Sequence, residues 1–408
     1  MKKIIIDTDP GVDDALALLY VLSLPKEFEI QLISLTFGNI SLKQCFCNAY
    51  TILNTIRKLG LPGPGADGCR FKTLPLALGQ DRPLFHEQRV DAAHFHGGDG
   101  LGGNHSSHGH LTPSDWETIF RDPAAAADSA NETNRPFKLL ARPAYEEILS
   151  VLESEEPQSV TIVAIGPLGN IAKAAMTNPA GFSRVKEVVV MGGAISRPGN
   201  ANPFAEFNTF ADPEAAAIVF ALTNPQQSLA IPPGLPRFNM ATFREMGPVK
   251  VTLLPLDVTE RHYISQNEWE ESCRGSELAD WVRMMTAAYF SSSQVVGETA
   301  DQHKAFFHDA LCVWYTLHAD TDSSFKRKIM DLRVETVGQW TRGMCCVDRR
   351  PVNIIPESMK SASEWLDPGL WMDSSLGNAV GVLDETPGRR EWVASFCQAL
   401  WRTDSTER

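Results

Sequence analysis

Four carboxylates fall within eight residues near the amino end of the chain, in the run Asp7-Thr-Asp9-Pro-Gly-Val-Asp13-Asp14. Like charges this close repel one another unless something neutralises them. A hard divalent cation does so, since Ca2+ takes roughly six to eight oxygen ligands and Mg2+ about six, several of them water. Asp9 and Asp14 are the leading ligands. Helix capping accounts for one or two acidic residues at a helix start, and leaves the others without a role.

The elements that position these carboxylates can be read around them. The pattern predicts a strand over residues 3–6 that stops at Asp-Thr-Asp-Pro-Gly, then a helix opened by Asp13 and Asp14, whose charges complement its dipole. The same order recurs at Ile30–Thr36, with a helix around Gln44–Leu59, and at Val160–Ile165, with a helix around Leu168–Met176. A looser copy joins Val188–Met191 to a helix around Pro213–Leu222 through a polar loop. Such alternation implies an α/β fold with an open, mainly parallel, Rossmann-like central sheet and helices on both faces. Ligands of such sheets bind beyond the carboxyl ends of the strands, which is where the acidic run lies.

The 408 residues are 43% hydrophobic and 21% charged, with 29 Gly and 26 Pro, which excludes a disordered, collagenous or coiled-coil chain. Lys and Arg number 37 against 50 Asp and Glu, so the net charge of -13 argues against nucleic acid or an anionic membrane as partner and suits a small neutral ligand or a cation. No apolar run approaches the ~18 residues of a membrane helix, and Ile4-Ile5-Ile6 meets Asp7 too early for a signal-peptide core. A cytoplasmic protein is expected. The 8 Cys form neither paired CxxC motifs nor a secreted disulfide framework, so reduced, buried thiols are expected. The whole chain, residues 1–408, reads as a single domain. It carries insertions at about 104–143 and 225–248, after each of which βα signals resume, and a C-terminal extension from about 352.

The Asp7–Asp14 run resembles the amino-terminal signature of the inosine-uridine preferring nucleoside hydrolases, and further blocks follow in that family's order. They are Thr36-Phe-Gly-Asn39, His96-Gly-Gly-Asp-Gly-Leu-Gly-Gly103, Val163-Ala-Ile-Gly-Pro-Leu168, Val190-Met-Gly-Gly-Ala194, Gly199-Asn200, Ala205-Glu-Phe-Asn208, Asp212-Pro-Glu-Ala215, Pro255-Leu-Asp-Val-Thr259, His308-Asp-Ala-Leu311 and Thr341-Arg-Gly-Met344. The resemblance runs from about residue 3 to 350. It implies hydrolysis of the N-glycosidic bond of ribonucleosides, purine or pyrimidine, to free base and ribose, in salvage or catabolism. It also implies Ca2+ as cofactor and a homodimer or homotetramer.

That chemistry passes through an oxocarbenium-like sugar, so a site must supply activated water, a sugar clamp and help for the departing base. By resemblance Asp9, Asp14, Asp309 and the main-chain carbonyl of Ile165 hold the metal, and Asp9 is also the general base. The family more often has Thr in place of Ile165, where a carbonyl is what matters. Resemblance gives Asp13, Asn208 and Asp309 to the 2′- and 3′-hydroxyls and Asn200 and Glu206 to the 5′-hydroxyl. Asn39 goes to the sugar and water region, and Met191 packs on the sugar. His308 is placed to protonate or polarise the base, and His96 lines the same pocket. The stretch at about 104–143 departs from shorter family members, so base preference does not carry over.

Three other readings compete. His94, His96, His105, His108 and His110 invite a zinc site, but no Cys or carboxylate pattern of fixed spacing accompanies them. A Mg2+-dependent phosphatase of the aspartate-nucleophile type would use Asp7 and Asp9, leaving Asp13, Asp14 and the Asn200–Asn208 loop idle. A catalytically inactive nucleoside-binding protein would be signalled by loss of Asp9, Asp14 or Asp309, and all three are present.

Overall fold

The computed structural model describes residues 1–60, 73–123, 135–224, 231, 247–292, 303–350, 367, 369–371 and 375–401. Cys69, most of the stretch at about 225–248 and the first part of the segment from about 352 lie outside them. The strands are β1 (Lys2–Thr8), β2 (Phe28–Leu35), β3 (Leu74–Leu78), β4 (Phe137–Leu139), β5 (Val160–Ala164), β6 (Glu187–Met191), β7 (Val251–Leu254), β8 (Ile264–Ser265), β9 (Lys304–Ala305), β10 (Lys326–Met330), β11 (Arg333–Val334), β12 (Cys345–Cys346) and β13 (Val380–Glu385). The main helices are α1 (Val12–Leu22), α2 (Leu42–Leu59), α3 (Ala144–Ser154), α4 (Gly169–Thr177), α5 (Pro213–Ala221), α6 (Glu277–Ser292), α7 (His308–His318) and α8 (Arg389–Trp401).

Nine strands form one open sheet in the order β10-β13-β7-β6-β5-β1-β2-β3-β4. All neighbours are parallel except the edge pair β10 and β13. The chain moves outward from β1 to β4, returns to lay β5 on the other side of β1, and continues through β6 and β7. Strand order therefore reverses between β1 and β5, which opens a crevice at their carboxyl ends. Asp7 and Thr8 end β1 at that point, and Ile165 follows β5 there.

Both faces of the sheet are covered, which is why β1 reads as an unbroken apolar run rather than an alternating one. Ile4 and Ile6 enter one core with α1, α2, α6, α7 and α8, while Ile5 enters the other with α3, α4 and α5. Each fully buried aliphatic side chain contributes roughly 1.5–3 kcal/mol, so β1 is stabilised from two sides. Local signals set the helix ends. Ser41 caps α2 by accepting from the Gln44 amide at 3.3 Å, and Gly60 ends it with φ +77°. Asp212 caps α5, with Pro213 in its first turn.

Two regions differ from the boundaries read in the sequence. Of the described residues beyond about 352, β13 lies inside the sheet between β10 and β7, and Trp392, Phe396 and Leu400 of α8 are core residues. The apolar run of β13 is short and contains Gly381, so its partners rather than its local pattern make it a strand. The stretch at about 104–143 likewise ends in β4, the outer strand of the sheet. Among the described residues no helix is long and apolar enough to cross a membrane, and Cys45, Cys47, Cys273, Cys312 and Cys345 are buried free thiols.

Candidate active site

The turn after β1 folds back so that Asp14, in the first turn of α1, caps it. Asp14 Oδ1 accepts from Thr8 Oγ1 at 2.5 Å and the Asp9 amide at 3.2 Å, and Oδ2 accepts from the Gly11 amide at 2.9 Å. Asn39, in the loop between β2 and α2, ties the turn together. Its amide donates to Asp9 Oδ2 at 2.7 Å and its side chain donates to Asp14 Oδ2 at 2.8 Å. Backbone closes around Asp9, since a Cβ on Gly38 would lie 2.0 Å from Asp9 Oδ2 and one on Gly166 would lie 2.5 Å from Oδ1. Any side chain at either position would displace this carboxylate.

Asp309, in the first turn of α7, completes an acidic floor. One carboxylate oxygen from each of Asp13, Asp14 and Asp309 lies within 4.8 Å of the others. All three, and Asp9, are buried, and Asp9 Oδ1 and Asp309 Oδ2 have no hydrogen-bond partner. His96 Nδ1 lies 4.0 Å from Asp13 Oδ1. Burial raises the pKa of all four. The Asp14 charge adds to it at Asp9 and at Asp13, which reaches about 7, and the Asp13 and Asp14 charges add to it at Asp309. The amino-terminal dipoles of α1 and α7 offset part of this repulsion. A bound cation would offset the rest, and an all-oxygen donor set with two unpaired buried oxygens fits a hard divalent ion.

Above this floor a cavity of about 430 Å³ opens. Asp13, Asn39, His96, Ile165, Met191, Asn200, Glu206, Asn208, His308 and Asp309 all line it. Asp9 and Asp14 lie beneath, joined to it through Asn39. Asn208 Nδ2 donates to the Ile165 carbonyl at 3.1 Å and the Met191 carbonyl at 3.2 Å. Glu206 caps the short helix Phe207–Ala211, accepting from the amides of Asn208, Thr209 and Gly193 at 2.7, 2.9 and 2.8 Å. Asn200 Oδ1 accepts from the Phe207 amide at 2.8 Å. His96 Nδ1 accepts from the Val12 amide at 3.1 Å, and His308 Nδ1 lies 2.7 Å from Thr259 Oγ1. Burial lowers His96 to about 3 and His308 to about 4, so both rings are uncharged at neutral pH.

The remaining histidines of the 94–110 stretch do not converge on one point. His94 also lines the cavity, whereas His105 bonds Thr112 and Asn48. Asp7 does not line the cavity. Its Oδ1 accepts from Ser34 and from Asn170 Nδ2, inside the core, which leaves a phosphatase nucleophile there without access to substrate.

Sequence reasoning missed the aromatic wall and one donor. Phe95, Phe306, Phe207, Phe210 and Tyr289 line the cavity, and the Tyr289 hydroxyl donates to Asp13 Oδ1 at 2.8 Å. Trp281, Met285 and Tyr289 stand at four-residue steps on α6, a spacing that reads only as a buried face. No local motif marks the last of them as the one that reaches the floor.

Sheet topology defines the class, an α/β protein with an acidic candidate site at the switch point of a mostly parallel sheet. The chain belongs to the inosine-uridine preferring nucleoside hydrolase family, whose model matches residues 4–368. It is therefore an enzyme of the ribonucleoside hydrolase type. The inosine-uridine preferring nucleoside hydrolase of Leishmania major is 37% identical over 219 residues, 54% of this chain and 57% of that protein. The non-specific ribonucleoside hydrolase RihC of Salmonella newport is 29% identical over 345 residues, 85% of this chain and 87% of the other. An uncharacterised protein of Schizosaccharomyces pombe is 28% identical over 362 residues, 88% of this chain and 92% of its own. The fold is shared with an inosine-guanosine nucleoside hydrolase (TM-score 0.69, 22% identity, 99% of this chain and 100% of that one). It is also shared with a purine-preferring ribonucleoside hydrolase from Gardnerella vaginalis (TM-score 0.66, 22% identity, 98% of each chain).

Proposed function

We propose that the protein releases free base and ribose from purine or pyrimidine ribonucleosides, with Ca2+ held by Asp9, Asp14, Asp309 and the main-chain carbonyl of Ile165. The observation that supports this reading is the cluster of Asp13, Asp14 and Asp309, one carboxylate oxygen of each within 4.8 Å of the others, beneath a cavity of nucleoside size, together with the unpaired buried oxygens on Asp9 and Asp309. When bound, the cation supplies Lewis acidity that makes water a stronger nucleophile at neutral pH.

Asp9 is the general base. Its Oδ2 is anchored by the Asn39 amide, and its unpaired Oδ1 receives the proton that water loses on attacking C1′. Asp13, with one oxygen held by Tyr289, offers the other to the 2′- and 3′-hydroxyls together with Asn208 and Asp309. Asn200 and Glu206 take the 5′-hydroxyl. The Glu206 oxygens keep unused lone pairs after their three backbone bonds. Met191 packs on the sugar. The Phe95 and Phe306 rings cover the base, and the uncharged rings of His308 and His96 offer it N–H donors. The same reading carries a cytoplasmic homodimer or homotetramer acting in nucleoside salvage or catabolism.

Ribose release from uridine and inosine by the full chain is the test. Activity should vanish with a chelator and return with Ca2+, and Asp9→Asn should lower kcat by about 10²–10⁴-fold. Hydrolysis of p-nitrophenyl phosphate in place of p-nitrophenyl riboside, or no release from any nucleoside, overturns the proposal.

A further inference from the structure

Thr259 ends the short helix Leu256–Thr259 that follows β7, and its side chain is buried. Its Oγ1 lies 2.7 Å from His308 Nδ1. A neutral imidazole carries one N–H and one bare nitrogen, and a hydroxyl can meet either. The surroundings decide between them. Buried threonines elsewhere in helices, such as Thr51, Thr286 and Thr316, return their hydroxyl hydrogen to the carbonyl four residues back. Thr259 makes no such bond among the described residues, so a proton on His308 Nδ1 would leave its own hydroxyl hydrogen buried without an acceptor. If Thr259 donates instead, every group is satisfied and the ring hydrogen moves to Nε2, the nitrogen left for a ligand in the cavity that His308 lines. His96 is set the same way, by a group that can only donate: the Val12 amide meets its Nδ1 at 3.1 Å.

We propose that Thr259 is a positioning residue that fixes His308 as the Nε2–H tautomer, aiming one hydrogen-bond donor at the leaving base. This rests on the reading of His308 as the group that assists departure. As the C1′–N bond breaks, its electron pair goes to the base, and the Nε2–H hydrogen bond stabilises the negative charge gathering there. The hydroxide portion of water bonds to C1′, its proton goes to Asp9 and from there to solvent, and the base takes its final proton from solvent, so atoms and charge balance.

Thr259→Val keeps the shape and removes the hydroxyl, and Thr259→Ser restores it. For inosine and uridine, kcat of Thr259→Val should fall about 10–100-fold, whereas p-nitrophenyl riboside, whose leaving group needs no donor, should change less than about threefold. Thr259→Ser should stay within about threefold of wild type on all three substrates. A parallel loss on both substrate kinds, or no loss, overturns the proposal. Nitrogen-15 spectra of the wild-type chain labelled at histidine, with His308 assigned by its absence in His308→Gln, read the tautomer without relying on a variant's folding. Nε2–H supports the assignment and Nδ1–H overturns it. A wild-type chain inert on every nucleoside overturns the hydrolase reading together with the role of His308, whereas an active one with parallel losses overturns only the role of Thr259.

Discussion

Asp13 shows how a residue's neighbours assign its work. It stands next to Asp14, and burial with the Asp14 charge pushes its carboxyl up to about 7, yet the Tyr289 hydroxyl reaches it from 276 residues away and favours the charged form. A hydrogen bond to a charged group contributes roughly 1.5–3 kcal/mol. Tyr289→Phe removes this donor while keeping the ring against Phe95, at 4.5 Å between centroids. With the carboxylate less well held, the 2′- and 3′-hydroxyls bind more weakly. The expected outcome is a rise in KM for inosine of roughly 5–50-fold with a smaller change in kcat, measured by steady-state ribose release. A fall in kcat at constant KM would assign Tyr289 to the chemical step instead. The acidic run was legible because its members share one turn, and Asn39, His96 and Asp309 because each belongs to a short ordered block. Tyr289 was not, because a side chain that completes a site from a helix far along the chain leaves no local trace.

Helix and strand ends, rather than their middles, build this site. Most strand–turn–helix units of the crevice were legible, since unbroken apolar runs followed by Gly, Asn or Asp mark parallel strands and the helix starts after them. What stayed hidden depends on long-range pairing: β13 is a strand because β7 and β10 flank it, and β4 because β3 offers an edge. The cap of α5 shows an element end serving two structures at once. Asp212 Oδ1 accepts from the Ala215 amide at 3.1 Å, while Oδ2 accepts from the Leu84 amide at 3.0 Å, in the segment that leads to Val90 and Asp91 on the cavity wall. Burial raises Asp212 to about 7, against these two amides. The folded chain thus binds this proton more tightly than the unfolded one, and the stability it contributes is full below about pH 4 and lost as pH rises through about 7. Asp212→Asn cannot titrate and supplies one acceptor oxygen instead of two, costing about 1 kcal/mol at pH 5. Urea unfolding of both chains should show wild-type stability falling relative to the variant, far enough to reverse their order, between pH 5 and pH 8. A constant difference across that range would mean that Asp212 is already ionised in the folded protein at pH 5.

Across the whole molecule, the acidic floor is assembled from segments that enter the fold at opposite stages. Asp9, Asp13 and Asp14 come from the first strand and helix, Ile165 follows the strand laid on the other side of β1, and Asp309 opens α7, which packs with α1 in one core. The repulsion among these carboxylates therefore falls on the junction between β1, β5 and α7, and so does whatever relieves it. A cation bound there would hold the junction closed and would favour the folded state over the unfolded chain, which has no preformed site, by about 2.7 kcal/mol at one hundred times its dissociation constant. In a chain of this size that corresponds to a rise in melting temperature of roughly 3 °C. Protein stripped of metal, with removal checked by elemental analysis, should show this rise on titration with Ca2+. The increment should be smaller with Mg2+ at equal concentration, because Mg2+ demands a tighter octahedral shell and gives up its waters reluctantly. Asp309→Asn should abolish the response while raising the melting temperature of the metal-free protein, because one of the buried like charges is gone. A stripped wild-type chain whose melting temperature ignores Ca2+ would mean that protons, rather than a metal, neutralise the floor, and Asp9 would then be unavailable as a base at neutral pH.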